Sequence, residues 1–133
     1  MKIAICLDNN NGMMFNNRRQ SRDSVLINNL IEFADGNTIF VSEYSKPLFP
    51  DDVVVSAEPT AVASKDDICF IEDLDVDYTC ADELIIYRWN RDYPSDKSFN
   101  FDISANGFYL LNSNDFEGSS HEKITREIYE RRI

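Results

Sequence analysis

The stretch Lys2-Ile3-Ala4-Ile5-Cys6-Leu7-Asp8-Asn9-Asn10-Asn11-Gly12 sets the framework of the fold. Its first part, Lys2–Leu7, is a largely apolar run, which is typical of a buried strand. The run ends at Asp8 and an Asn-Gly sequence, and both Asn and Gly tolerate the positive φ angles that turns require. The sequence therefore predicts a buried strand at the start of the chain, followed by a turn.

Downstream segments alternate between strand-like and helix-like patterns. A helix is predicted from Val25, capped by Asp23 or Ser24 and ended near Gly36, because its apolar residues recur at helical spacing. Strands are predicted at Thr38–Val41, Val53–Val55, Ile68–Ile71, Leu84–Tyr87, Phe99–Ile103 and Phe108–Leu111. The long polar stretch Gly12–Arg22 and the rigid turn Lys46–Pro50 connect them, and residues 76–82 are too weakly patterned to assign. Residues 1–133 thus form one α/β domain with a central mixed sheet and few helices.

The C-terminal segment, residues 120–132, fits two patterns. Ser119 and Glu122 match a capping box, and Ile124 and Ile128 lie one helical turn apart. The same residues also alternate as they would in a strand. From the pattern alone, the helix is slightly favoured.

Composition excludes several classes of protein. The 133 residues include 24 acidic and 13 basic side chains, a net charge of −11, so a basic face for duplex DNA is not expected. His121 is the single histidine, which excludes a polyhistidine zinc site. The three cysteines, Cys6, Cys69 and Cys80, have no CxxC spacing and indicate reduced, mostly buried thiols in a cytoplasmic protein. The apolar run at the start is too short for a signal peptide or a membrane span.

Several short stretches, in this order, resemble the dihydrofolate reductase family. Residues 3–12 resemble the first strand of that family and the Asn-Gly turn into its mobile loop, and residues 46–56 resemble its Pro-Leu-Pro turn and the next apolar strand. Leu84–Tyr87 resembles the strand leading to the cofactor, and Phe116–Arg132 resembles the last hairpin. The resemblance implies a dihydrofolate reductase-like fold and a C-terminal strand instead of a helix.

The resemblance also locates where the binding motifs of the family would lie. The Gly-Arg-x-Thr turn for the NADPH phosphates corresponds to Val41–Ser45, with Glu43 in place of arginine, and the Gly-Gly pair to Tyr87–Asn90. In the family, an arginine that binds the glutamate part of folate lies just before the next strand, and this chain has Asp51-Asp52 at that place. The proton-donating carboxylate lies near Asp23, although offset, and Glu32 is too far along the helix. These departures predict that NADPH is not a cofactor and that the chain is a shortened, degenerate relative.

Three clusters are candidates for chemistry. Arg18, Arg19, Arg22 and Asp23 precede the predicted helix and either bind an anion or form a solvated basic loop. Arg88, Trp89 and Arg91 interleave cations with an aromatic ring, which suits a base or a protein interface, or simple packing and ion pairing. Ser119, Ser120 and His121 combine hydroxyls with a histidine whose pKa lies near neutrality, the best candidate for proton transfer; a capping role for the serines is the alternative.

If the resemblance holds, these clusters meet at one arginine-lined cleft. The first hypothesis is therefore a pseudo-reductase that binds an anionic, nucleotide-like ligand, with catalysis left open. A second hypothesis rests on Glu43–Glu83, where twelve acids and two lysines give a net charge of −10: an acidic module that docks on a basic protein, as an immunity or inhibitor protein for a nuclease would. A third is an NADPH-dependent reductase with altered cofactor contacts.

Overall fold

The computed structural model describes residues 1–50 and 52–132. Within them the chain forms a seven-stranded sheet in the order β5-β4-β6-β1-β7-β10-β9. Its strands are β1 (Lys2–Leu7), β4 (Ile39–Val41), β5 (Val54–Val55), β6 (Ile68–Phe70), β7 (Glu83–Arg88), β9 (Phe108–Phe116) and β10 (Ile124–Arg131). β1 is parallel to both β6 and β7, whereas β10 is antiparallel to β7 and β9. This mixed α/β architecture confirms the predicted fold class.

The smaller elements lie around this sheet. A three-stranded sheet in the order β3-β2-β8 is formed by β2 (Gly12–Phe15), β3 (Arg18–Arg19) and β8 (Lys97–Ser98). The helices are α1 (Ser24–Ala34) and the short α2 (Pro59–Val62), with 3-10 turns at Lys46–Leu48 and Tyr78–Cys80. The polar stretch predicted as a loop therefore contains the β2–β3 hairpin. No helix of the described residues is long and apolar enough to cross a membrane.

Two hydrophobic clusters cover the faces of the main sheet. One lies under α1, with Leu26 and Leu30 against Ile85 and Tyr87. The other packs Met13, Met14, Phe99 and Phe108 against the opposite face. β1 lies between them, and Ile3, Ala4, Ile5 and Leu7 are completely buried, which explains its unbroken apolar sequence.

Helix α1 is bounded as its sequence predicts. Asp23 is the N-cap, and its carboxylate accepts hydrogen bonds from the Val25 and Leu26 N–H groups. The C-terminal end differs by one residue, because Asp35 adopts the left-handed conformation at φ 47°, and Gly36 follows at φ 86°. Asp35 and Gly36 together turn the chain toward β4.

One predicted element is wrong, and the structure decides between the two alternatives for the C-terminal segment. Phe99–Ile103 is not a strand: Phe99 and Phe101 project from an irregular segment onto Tyr78, with ring centroids 4.9 and 5.7 Å away, so ring packing produces the alternation. The C-terminal segment is the strand β10 and not a helix, as the family resemblance implies. Ile124 and Ile128 are its buried residues, and pairing on both sides with β7 and β9 outweighs local helix propensity.

Candidate functional site

The carboxyl ends of β1, β6 and β7 form the edge of the sheet where ligands bind in open α/β folds. These strands are parallel neighbours in the sheet. The connection from β1 to β4 runs toward one edge of the sheet, whereas the connection from β6 to β7 runs toward the other edge. Such a reversal of direction creates a crevice at the strand ends. The β2–β3 hairpin, the segment after β7 and the turn before β10 meet there.

His121 lies in the turn before β10 and is almost completely buried. Its Nδ1 atom is 3.0 Å from Asp23 Oδ2 and 3.1 Å from Ser120 Oγ. Its Nε2 atom is 2.9 Å from Tyr93 Oη and 3.1 Å from Ser21 Oγ. The ring stacks on Trp89, with centroids 4.5 Å apart and an interplanar angle of 25°. Both ring nitrogens and one ring face of His121 are therefore fixed by neighbours.

Asp23 is the charged partner of this histidine. Burial by itself raises the pKa of its carboxyl, but hydrogen bonds from the Ser120 and Ser119 N–H groups, from His121 and from the Leu26 N–H outweigh burial and hold the pKa well below its usual value. Asp23 is thus a buried carboxylate that joins the start of α1 to the last hairpin.

The N-terminus of α1 is occupied by its own chain. Val25 N and Leu26 N donate to Asp23 Oδ1 at 3.0 and 3.3 Å, and Ser24 N donates to Ser119 Oγ at 3.0 Å. The Asp23 carboxylate also neutralises the positive end of the helix dipole. The backbone N–H groups of Ser24, Val25 and Leu26 are therefore already hydrogen-bonded within the protein.

Arg19 closes the other side of the crevice. Its Nε and Nη2 atoms donate to the two carboxylate oxygens of Glu72 at 3.0 and 3.1 Å, and its guanidinium lies 4.4 Å from the centroid of the Tyr44 ring. Burial by itself lowers the pKa of Arg19, but the hydrogen bond to Glu72 and the Glu72 charge raise it above its ordinary value. Ser45 Oγ donates to Glu72 as well, at 2.7 Å. This bidentate pair ties the β2–β3 hairpin to the segment after β6.

Little space remains inside the crevice. The void has a volume of about 10 Å³, room for about one water molecule. It is lined by Cys6, Met13, Arg19, Gln20, Ser21, Ile71, Glu72 and Trp89. Ligand cavities measure roughly 300–1,000 Å³. This void is therefore much smaller than a typical ligand cavity.

The predicted arginines do not converge on one pocket, which corrects that expectation. Arg88 donates from Nε to Glu127 Oε1 at 3.1 Å and also contacts Asn11 Oδ1. Arg22 lines a separate pocket beside Asp23, Ser119 and Ser120. Arg91 is exposed, and its carbonyl accepts a hydrogen bond from Asn9 N. Of the predicted arginines, Arg18 and Arg19 line the same cleft.

That open cleft adjoins the crevice and has a volume of about 480 Å³. It is lined by Phe15, Asn16, Arg18, Arg19, Gln20, Tyr93 and Pro94. Phe15 is 41% exposed, and Arg18 is exposed with no acidic partner among the described residues. Gln20 Oε1 is buried and accepts no hydrogen bond from any described residue. We call this site the Arg18 cleft.

The buried carboxylate of Asp8 positions two walls of the Arg18 cleft. One oxygen accepts from the Asn10 and Gly12 N–H groups, each at 2.8 Å, and the other accepts from Gln20 Nε2 at 3.2 Å and Tyr93 N at 3.1 Å. Burial by itself raises the pKa of Asp8, but these backbone hydrogen bonds lower it further than burial raises it. Asp8 therefore stays charged and holds the turn after β1 against the segment after β7.

Gln20, Ser21 and Tyr93 lie within the stretches of the predicted clusters, but the sequence assigned no role to them. Ser21 and His121 are 100 residues apart, and neither lies in a recognised nucleophile motif. The role of Gln20 depends on its long-range contact with Asp8. By contrast, Asp23, Trp89, Ser119, Ser120 and His121 were predicted from three separate clusters and are in fact neighbours.

A dihydrofolate reductase-like α/β domain is the class that this topology defines. Among solved structures, the chain is similar to dihydrofolate reductase from Enterococcus faecalis, solved in complex with NADP(H) and RAB-propyl. The TM-score is 0.64 with 16% sequence identity, and the match covers 100% of this chain and 97% of that chain. No family model and no curated protein matches the sequence. The structural likeness confirms the fold predicted from the short sequence resemblances.

Proposed function

We propose that this protein is a pseudo-reductase that binds an anionic, nucleotide-like ligand in the Arg18 cleft. The observation that carries the proposal is that one cleft combines two aromatic rings, Phe15 and Tyr93, with the guanidinium of Arg18. Aromatic rings stack on bases, and guanidinium groups bind phosphate through paired N–H donors. A nucleoside monophosphate has both of these chemical features.

Two further atoms support a polar ligand. Arg19 uses Nε and Nη2 for Glu72 and Tyr44, whereas its Nη1 donates to no described acceptor. Gln20 Nε2 is committed to Asp8 and the Pro94 carbonyl, which fixes the orientation of the amide and leaves Oε1 as an acceptor. The cleft therefore offers guanidinium donors for a phosphate, and the buried Gln20 Oε1 is an unpaired acceptor in its wall.

The ligand is expected to bind beside the filled crevice instead of inside it. The crevice holds the Trp89–His121 stack and the Arg19–Glu72 pair, so a nicotinamide ring has no room there. This arrangement favours the pseudo-reductase over a reductase with altered NADPH contacts. The fold is retained while the binding position moves outward to the β2–β3 hairpin.

Isothermal titration calorimetry with nucleoside monophosphates, NADPH and folate tests the proposal. We expect a monophosphate to bind and Arg18→Ala to weaken its affinity by about 10- to 100-fold, because a charge-assisted hydrogen bond is lost. Lys65→Ala is the matched control, since it removes one exposed positive charge outside the cleft. Absence of binding by every monophosphate, or equal affinity of the Arg18 and Lys65 variants, contradicts the proposal.

A second candidate function is docking on a basic protein. It is favoured by the exposure of most carboxylates in the acidic segment: Glu43, Asp52, Glu58, Asp66, Asp75, Asp77 and Asp82. Glu72 belongs instead to the buried pair with Arg19, and Asp51 lies outside the described residues. Cross-linking in cell extract should capture a basic protein with the wild type but not with the Asp75→Asn/Asp77→Asn/Asp82→Asn variant. Equal capture by both contradicts this candidate.

A further inference from the structure

Ser21, His121 and Asp23 lie in the relative positions of a nucleophile, a general base and an orienting carboxylate. Ser21 Oγ is 3.1 Å from His121 Nε2, and His121 Nδ1 is 3.0 Å from Asp23 Oδ2. A Ser-His-Asp arrangement is recognised by the geometry of its side chains, because it occurs on unrelated folds in which the three residues follow one another in different orders along the chain. The cleft ligand of the proposed function is not needed for the inference.

The hydrogen-bond network assigns the proton on the imidazole. Asp23 is ionised and also accepts from the Ser119 and Ser120 N–H groups, so His121 Nδ1 must carry the hydrogen that it shares with Asp23. Nε2 of a neutral His121 is then an acceptor. Stacking on Trp89 fixes the ring plane, so the Nε2 lone pair faces the Ser21 and Tyr93 hydroxyls.

Ser21 is the member of this group that solvent can reach. It is half-buried, whereas His121 and Asp23 have side chains only 2% and 0% exposed. It follows directly on Arg19 and Gln20, which line the Arg18 cleft. In the described part of the chain, the backbone N–H groups of Ser21 and Arg22 donate to no protein acceptor.

We propose that Ser21 is the nucleophile of an acyl-transfer site for a small carboxylic ester, whose carbonyl group enters the void of about 10 Å³ that Ser21 lines. The Ser21 oxygen forms a bond to the ester carbonyl carbon while His121 Nε2 takes the hydroxyl proton. The C–O bond to the alcohol breaks, and Nε2–H returns the proton to the departing alkoxide. Water then attacks the acyl-serine with the same base, releasing the carboxylic acid and restoring the Ser21 hydroxyl.

Tyr93 provides an internal check on this assignment. Its hydroxyl and that of Ser21 share one acceptor atom, and only one of them can donate to Nε2 at a time. Removal of the Tyr93 hydroxyl therefore leaves the lone pair to Ser21. If the cluster had a purely structural role, removal of the Tyr93 hydroxyl would not change the reactivity of Ser21.

Labelling with a fluorophosphonate tests the proposal, because this probe modifies activated serines: the Ser–O–P bond forms, fluoride leaves, and His121 takes the proton. Mass spectrometry of the digested protein should locate the adduct on Ser21. Ser21→Ala should lose the label, and His121→Gln should slow labelling by about 100-fold. Ser104→Ala is the matched control, because Ser104 is an exposed serine outside the cluster. Tyr93→Phe should label at least as fast as the wild type.

The result that overturns the proposal is an unmodified Ser21, an adduct located elsewhere, or a labelling rate that His121→Gln leaves unchanged. Because His121 is buried, its variant is compared only after its thermal unfolding has been measured. The Ser21→Ala variant removes only a half-buried hydroxyl, so it is expected to fold. Its loss of labelling therefore still tests the proposal if the histidine variant does not fold. Hydrolysis of p-nitrophenyl acetate by the same set should follow the labelling rates.

Discussion

Asp23 and His121 are 98 residues apart in the sequence, and their Oδ2 and Nδ1 atoms lie 3.0 Å from each other in the interior. Asp23 caps α1, and His121 precedes the last strand, so this contact joins the first crossover to the C-terminal hairpin. It also fixes the ring whose other nitrogen meets Tyr93 of the Arg18 cleft. Stability and the proposed sites therefore depend on the same contact.

Asp23→Asn should destabilise the protein by about 3 kcal/mol, because the carboxylate is an N-cap and also accepts hydrogen bonds from the last hairpin. Urea unfolding at neutral pH measures the loss. Asp35→Asn is the control, since Asp35 is exposed and asparagine also adopts the left-handed conformation. Equal unfolding midpoints for the two variants would contradict the role given to Asp23.

Acid should destabilise the wild type more than Asp23→Asn. The folded-state pKa of Asp23 lies below its unfolded value of about 4, so its contribution is complete above that value. The contribution is lost as the pH falls through the folded-state pKa. Asp8, whose pKa is lowered in the same direction, leaves some acid sensitivity in the variant. Urea midpoints between roughly pH 5 and pH 2 check this, and parallel curves for the two proteins would disprove it.

Arg19→Ala should cost about 3 kcal/mol, since it leaves the Glu72 carboxylate buried with Ser45 as its remaining hydroxyl donor. Glu72→Gln in the same chain removes the charge of the Glu72 carboxylate, which Arg19→Ala leaves without its cationic partner. We expect the double variant to be more stable than the sum of the single losses predicts, with a coupling of about 1–3 kcal/mol. A double-mutant cycle from urea unfolding measures it. Simple additivity would show that the pair contributes no interaction energy.

Gly118→Ala should destabilise the protein by at least about 2 kcal/mol. A Cβ at this position would collide with the Asp23 carboxylate and lie 2.8 Å from Ile124 Cδ1, so the buried network would have to move. Gly107→Ala is the control: its Cβ meets open space, and only the positive φ of 85° costs about 1–2 kcal/mol. A Gly118 variant that is as stable as the Gly107 variant would contradict this close packing.

Thiol reactivity should distinguish the three cysteines. Cys80 is exposed, whereas Cys69 is buried, and burial raises its pKa to about 12. Burial also raises the pKa of Cys6 well above its ordinary value. Native protein should therefore react with a thiol reagent at Cys80 alone, and denatured protein at all three. Rapid modification of Cys6 or Cys69 before unfolding would show that the sheet interior opens readily.

The framework of the fold could be predicted because its signals are local. The buried strand β1 is a continuous apolar run, and α1 has a cap and helical spacing within a dozen residues. The C-terminal strand could not be assigned from the pattern, because buried residues at positions 124 and 128 satisfy both periodicities. The strand predicted at Phe99–Ile103 is wrong because alternating aromatic rings pack under an irregular chain as well as under a strand.

The site was harder to predict because its contacts are long-range. The charge of Arg19 was visible in the sequence, but its partner Glu72 follows another strand and engages Nε and Nη2 of the guanidinium in an ion pair. Arg88 is likewise held by Glu127 of β10. Ser21 acquires its role only when the last hairpin brings His121 to it. The residue types in the sequence indicated which side chains could bind anions or transfer protons, but the partners of these side chains depend on the topology of the sheet.

The most direct test of nucleotide binding in the Arg18 cleft uses the fluorescence of Trp89, the single tryptophan. Trp89 stacks on His121, which is hydrogen-bonded to the cleft residue Tyr93, so a ligand against Tyr93 should alter its emission. Titration with a nucleoside monophosphate is expected to give a saturable change in the wild type and in Lys65→Ala, and a curve shifted about 10- to 100-fold in Arg18→Ala. Emission that stays constant in the wild type, or the same curve in all three proteins, would contradict binding in this cleft.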